Sequence, residues 1–277
     1  MHNEVVRVEV EHSARGMSLK RWATARFPAL SQMYLAKRVI DGGCTWNGEV
    51  LKWGHKLRGG ESLEMDIDLE AATGRRPEKM ALEIVHEDEG WLVLNKPPGI
   101  LVHPTKNVRS GTLANGLSYY LNESRFWFPH RLDRETSGIL LVAKTGKALR
   151  EIESLWRAGG AKKRYVALLE GQVPGVMVMD APIDRVAGRK PEWQVTKGGK
   201  ASLSYLTVLQ TSSTRSLVQL EPVTGRTNQL RIHCAHAGFP VLGDMLYGLG
   251  PAERLYLHAE RLEIAGRVFT APVDFQI

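Results

Sequence analysis

Apolar and polar positions along the chain follow two periods, and the elements change where the period changes. Between Ser18 and Phe27, Leu19, Trp22 and Ala23 recur at helical spacing. Pro28 ends that run. Ser31 is placed to cap a second helix, in which Met33, Tyr34, Ala36, Lys37 and Ile40 repeat near 3.6 residues. Asp41-Gly42-Gly43 stops it, because glycine supplies the positive φ of a helix C-terminus. Two short apolar segments, Cys44–Trp46 and Glu49–Leu51, then flank Asn47-Gly48, which is a strong signal for a two-residue hairpin. A further strand is expected at Ser62–Ile67. Residues 68–80 carry charge, Gly74 and Pro77 but no apolar period, and read as a connector.

Beyond it, strand patterns dominate. Strands are expected at Leu82–Val85, Trp91–Asn95, Gly138–Ala143, Arg164–Leu169, Ala201–Gln210, Ser216–Pro222, Leu262–Ile264 and Val268–Ala271. Helices are expected at Gly111–Tyr120, Ala148–Trp156 and Thr227–Ala237. Most links are too short for parallel crossovers, so the body should be α+β with a mostly antiparallel sheet. The organisation expected is a small domain over 11–68, a linker over 69–80 and a body over 81–277.

Composition adds a partner class. Of the 277 residues 43% are hydrophobic, enough for full cores, and the formal net charge is +7. That charge is uneven. From Glu11 to Gly60 nine basic residues face three acidic ones; from Glu61 to Leu92 three basic residues face ten acidic ones. A basic module followed by an acidic connector suggests a polyanionic partner for the first domain. Cys44 and Cys234 are too few for a disulfide framework or a cysteine-based metal site. Residues 1–11 show no basic segment followed by an apolar one, and no apolar run approaches a membrane span. A soluble cytoplasmic protein with no membrane association is expected.

The most concentrated polar segment, PHRLDRETSG (129–138), precedes the apolar run GILLVA and so belongs on a loop at a strand end. Asp133 lies there between Arg131 and Arg134, and a neighbouring cation favours the ionised carboxylate that a nucleophile or base requires. An aspartate in such a loop also serves as a turn former or ion-pair partner, and the residues alone leave both readings open. No HExxH, CxxC, phosphate-binding glycine loop or GxSxG elbow is present. What remains is carboxylate chemistry without metal, nucleotide or other cofactor.

Residues 130–145, HRLDRETSGILLVAKT, closely resemble the signature of the RluA-type pseudouridine synthases. So do VLNKPPGILVHP (93–104), KKRYVALLEG (162–171), VTGRTNQLRIHCAHAGFPVLGDMLYG (223–248) and LYLHAERLEI with FTAP (255–272). The matches run in family order from about residue 82 to the C-terminus. Residues 18–65 resemble the alpha-L RNA-binding motif, with Cys44 and Trp46 where valine is usual.

The resemblance implies a pseudouridine synthase fold preceded by a small α/β RNA-binding domain. It also implies cofactor-free isomerisation of uridine in structured RNA after base flipping, with rRNA favoured over tRNA, by a monomer. By position in the motifs, Asp133 is implied as the catalytic aspartate, which attacks the sugar, attacks the base or removes a sugar proton. Tyr165 would stack on the uracil or act as base at C5. Arg231 would pair with Asp133, Leu230 would pack on the base, and Arg131 would fill the gap that the flipped base leaves. Arg226 is a candidate for phosphate, as are Lys20, Arg21, Lys37, Arg38 and Lys52 of the basic module. One departure stands at Asn228, where many relatives carry histidine. Two other readings make different demands. A non-catalytic RNA-binding or ribosome-assembly factor should show damage at Asp133, Tyr165 or Arg231. A glycosidase needs a second carboxylate, and only Glu135 is offered, two residues away.

Overall fold

The computed structural model describes residues 4–27, 32–67, 76–105, 107–122, 125–188 and 191–277. The chain divides into two units, Met1–Glu78 with Pro104–Ser110, and Lys79–His103 with Gly111–Ile277. Among the described residues no helix is long and apolar enough to cross a membrane.

The first unit contains β1 (Glu4–Glu9), α1 (Leu19–Arg26), α2 (Gln32–Ile40), β2 (Cys44–Trp46), β3 (Glu49–Val50) and β4 (Ser62–Ile67). Its sheet has the order β1-β4-β2-β3. Ser18 caps α1 by accepting the Arg21 amide. Asn47 (φ 50°) and Gly48 (φ 83°) form the hairpin turn that their sequence demands. Leu19, Trp22, Leu35, Val39, Cys44, Leu63, Met65 and Ile67 bury together as its core. Strand β1 begins upstream of residue 11, where the sequence reading opens this domain. Val6, Val8 and Val10 alternate with Arg7 and Glu9, and Val8 and Val10 join the core, which is the pattern of a strand with one buried face. Pro28, Ser31 and residues 69–75 of the expected linker lie outside the described residues.

The second unit contains β5 (Ile84–Glu87), β6 (Trp91–Lys96), α3 (Leu113–Tyr120), β7 (Ser137–Ala143), α4 (Gly146–Arg157) and β8 (Ala161–Glu170). There follow β9 (Met177–Asp180), β10 (Ile183–Arg185), β11 (Trp193–Val195), β12 (Leu203–Thr211) and β13 (Arg215–Pro222). The last elements are α5 (Gln229–His236), β14 (Leu257–Ile264) and β15 (Arg267–Thr270). The main sheet runs β5-β6-β7-β14-β8-β13-β12-β9, with β15 paired to β14. It is antiparallel except where β14 meets β7 in parallel. That junction needs Gly138: a Cβ there would lie 2.3 Å from the Ala259 carbonyl oxygen.

Strand β7 is buried along its whole length, because helices cover both faces of the sheet there. Leu92, Leu94, Leu140 and Val142 pack with Leu113 and Leu117 of α3. Trp91, Val93, Ile139 and Leu141 pack with Ala148 and Ile152 of α4. Helix α5 packs Leu230 and Cys234 on the β8–β13–β12 half. The first body strand is Ile84–Glu87 rather than Leu82–Val85: its pairing with β6 begins at Ile84↔Leu94 and continues past a bulge to Glu87↔Leu92. Strands β9, β10 and β11 were not expected from the sequence, and β14 is longer than Leu262–Ile264.

Candidate active site

The segment before β7 is held from three sides. Trp127 exchanges backbone hydrogen bonds with Ala143 (2.9 and 2.8 Å). The His130 Nε2 accepts the Leu141 amide (2.9 Å), and its ring stacks on Trp156 at 4.9 Å. Burial, with a smaller push from Lys163, drives its pKa down to about 3. It is therefore a neutral ring protonated on Nδ1, a strut rather than an acid. From below, the fully buried Lys96 at the end of β6 donates Nζ to the carbonyls of Pro97 and Arg134, both at 2.8 Å.

These struts set Asp133 in a cleft of about 360 Å³. Asp133, Arg131, Tyr165, Leu230, Arg231 and Arg226 all line it, so the six body residues singled out from sequence converge on one space. Asp133 is the only carboxylate among the described lining residues, facing Arg131, Lys163, Arg226 and Arg231. Such a bias favours an anionic substrate. Arg131 stands exposed, and Leu230 is buried in the α5 core with its side chain on the cleft wall. Arg226 donates Nε and Nη2 to the Ala201 carbonyl (3.2 and 3.1 Å), which ties it to the rim.

Arg231 reaches Asp133 with Nη1 at 3.7 Å, but its tight partner is another residue. Nε and Nη2 bind the two carboxylate oxygens of Asp244 at 2.6 Å each. Asp244 is buried and also accepts the amides of Leu246 and Tyr247. Burial opposes both charges, yet their mutual bonds prevail: the Asp244 carboxyl titrates below its ordinary range and the Arg231 guanidinium above its own. Tyr165 is partly buried on β8. Burial first, and then the Asp133 charge, push its phenol well above the ordinary value. It is a neutral phenol at neutral pH, suited to stacking and hydrogen bonding and poorly suited to acting as a phenolate base.

In the first unit Lys20, Arg21, Lys37 and Lys52 are exposed. Arg38 differs: its Nε donates to the Asp66 carbonyl (2.9 Å) and its guanidinium pairs with the Asp66 carboxylate. It pins α2 to β4, and a phosphate would have to compete with that pair.

The family model described as RNA pseudouridylate synthase matches residues 90–236, which holds the Asp133 loop, Tyr165 and Arg231. The chain belongs to this family. It is an RluA-type RNA pseudouridine synthase, an isomerase that converts uridine in RNA to pseudouridine. It is 34% identical over 244 residues to ribosomal large subunit pseudouridine synthase D of Pseudomonas aeruginosa, covering 87% of this chain and 76% of that one. It is 33% identical to an uncharacterised RNA pseudouridine synthase of Aquifex aeolicus, covering 93% and 86%. Among solved structures, human RNA pseudouridylate synthase domain containing 1 superposes with a TM-score of 0.62 at 30% identity, covering 71% of this chain and 85% of that one.

Within this synthase, Asn228 is accounted for. It caps α5 in the left-handed region (φ 54°), which asparagine tolerates well. Its Oδ1 accepts Arg231 Nη1 (3.3 Å), and its Nδ2 donates to the Tyr247 hydroxyl (3.2 Å). The Tyr247 hydroxyl in turn donates to the Trp193 carbonyl (2.9 Å), and its ring faces the Arg231 guanidinium at 5.2 Å. Asn228 therefore orients the arginine. Asp244, Tyr247, Lys96 and Lys163 were not singled out from the sequence, although each lies inside a segment that carries the family resemblance.

Lys96→Met is expected to lower activity about 100-fold, because the Asp133 loop loses its lower tie. Burial, partly countered by Glu135 and Asp133, drives the Lys96 pKa from 10.5 to about 8. Between those values the unfolded chain binds the extra proton, so wild-type stability should rise with pH from about 8 to 10.5. The rise amounts to about 3 kcal/mol at most. Denaturant titrations across that window should show it in the wild type and not in the variant. A variant with full activity would remove Lys96 from the positioning of the loop.

Proposed function

We propose that this enzyme modifies large-subunit rRNA, with Asp133 acting on the nucleoside as nucleophile or base, Tyr165 and Leu230 holding the uracil, and Arg231 orienting Asp133. The convergence of Asp133, Tyr165 and Arg231 on one cleft supports the site assignment. The choice of RNA rests on relatives named ribosomal large subunit pseudouridine synthase D, at 30–34% identity over most of the chain. Arg131, exposed beside Asp133, enters the RNA where the base has left. The first unit acts as the alpha-L RNA grip. Lys20, Arg21, Lys37 and Lys52 meet phosphate there, while Arg38 has mainly a structural task. The protein works as a monomer in the cytoplasm without a nucleotide cofactor.

The test compares large-subunit rRNA, small-subunit rRNA and tRNA transcripts as substrates, with pseudouridine mapped in each. Modification confined to large-subunit rRNA is expected; modification of tRNA alone would overturn the choice of RNA. The Lys20→Gln, Arg21→Gln, Lys37→Gln, Lys52→Gln variant should bind rRNA roughly 10- to 100-fold more weakly, with a shallower salt dependence. Unchanged affinity from low to high salt would remove the first unit from RNA binding.

A further inference from the structure

Lys163 is a cleft-lining cation that forms no ion pair among the described residues. It lines the cleft on β8, two residues before Tyr165. Arg164 between them turns to the other face and forms a bidentate pair with Glu260 (2.6 and 2.9 Å). Lys163 and Tyr165 therefore project into the same space, about 6.6 Å apart along the strand. Among the described residues no carboxylate lies within ion-pair distance of the Lys163 Nζ. Its neighbours are the Trp156 ring, 5.6 Å away to the centroid, and Gly225, whose missing Cβ would lie 3.7 Å from Nζ. The tryptophan face steadies the ammonium, and the glycine leaves room beside it. A half-buried ammonium with a cation–π contact and, among the described residues, no paired carboxylate has room for an anionic ligand.

We propose that Lys163 binds a backbone phosphate of the nucleotide whose base enters the cleft. This rests on the reading above that Tyr165 holds that base. Two strand residues match the span from a base to its own phosphate, so one face of β8 grips both parts of a single nucleotide. Burial keeps the Lys163 pKa below that of an ordinary lysine, and a phosphate beside it would offset that penalty by pairing with the ammonium. Asp133 and Lys163 then divide the substrate, the carboxylate acting at the nucleoside and the ammonium fixing the backbone. The flipped state is thereby stabilised without any base-specific contact.

The experiment uses the full chain and a short RNA containing the target uridine. One version of the RNA is native. Two others carry an uncharged methylphosphonate linkage, 5′ or 3′ to that uridine. Lys163→Gln should weaken binding of the native RNA about tenfold, with the loss mainly in KM, and flatten the salt dependence by about one contact. Wild type should lose about as much with one of the two neutral linkages. Combining that linkage with Lys163→Gln should cost less than a further twofold, because both remove the same contact. Lys163→Arg should recover most of the affinity. Additive losses, or a fall in kcat with affinity and salt slope unchanged, would overturn the phosphate role. Wild-type isomerisation of the same RNA is the separate check on the catalytic reading. If Asp133→Asn left that rate intact, the catalytic reading would fail, whatever the lysine shows.

Discussion

Asp133→Asn is expected to reduce isomerisation by at least about 1,000-fold while leaving the fold and RNA affinity nearly intact. The asymmetry follows from what the side chain touches. Asp133 is partly exposed, and its one ion pair among the described residues is a 3.7 Å approach to Arg231 Nη1. The arginine keeps its two 2.6 Å bonds to Asp244 when Asp133 is neutralised. Stability should therefore change by less than about 1 kcal/mol. RNA affinity should hold or rise slightly, because the variant removes the cleft's only negative charge from among its described lining residues. Tritium release from RNA carrying 5-tritiated uridine measures the reaction, and filter binding with the same RNA measures affinity. Wild-type release rates would exclude Asp133 as the reacting group. Loss of both activity and binding would make it a structural residue.

Much of the fold was legible because the strongest patterns belong to its best-buried elements. GILLVA is apolar at every position, and β7 is covered on both faces. Asn47-Gly48 favours the positive φ angles that the first unit's hairpin turn adopts. The gaps also have physical causes. Strands β10 and β11 are three residues each, too short to display a period of two. The first five residues of β14 include His258, Glu260 and Arg261 and do not read as a strand. Its polar groups are satisfied in place, His258 by Ser137 at 2.8 Å and Glu260 by Arg164. At the site, Asp133, Tyr165 and Arg231 came from motif positions. The partner of Arg231 did not, since nothing local pairs Asp244 with it: the ion pair forms only when the loop after α5 folds back.

That hidden carboxylate carries the second large effect. Asp244→Asn leaves the Arg231 guanidinium mostly buried beside a neutral amide that can accept from only one of its two donors. Breaking a buried pair on one side costs about 3–5 kcal/mol. The freed arginine then has Asp133 as its remaining ion-pair partner among the described residues, so a swing towards it would displace the Asp133 carboxylate, and activity should fall at least about 100-fold. Replacing both partners together, Arg231→Leu with Asp244→Leu, removes the uncompensated charge. It should restore most of the stability while activity stays lost, which separates the structural share of the pair from its role at Asp133. Acidity offers an independent check. The folded carboxyl titrates below its ordinary value of 3.8, so its contribution is complete above that pH and fades as pH falls through the folded value. The stability gap between wild type and Asp244→Asn, from denaturant midpoints, should be constant from pH 5 to 7 and narrow below about 4. A gap that widened towards low pH would mean that Asp244 is held protonated, and that Arg231 depends on Asp133 for its charge partner instead.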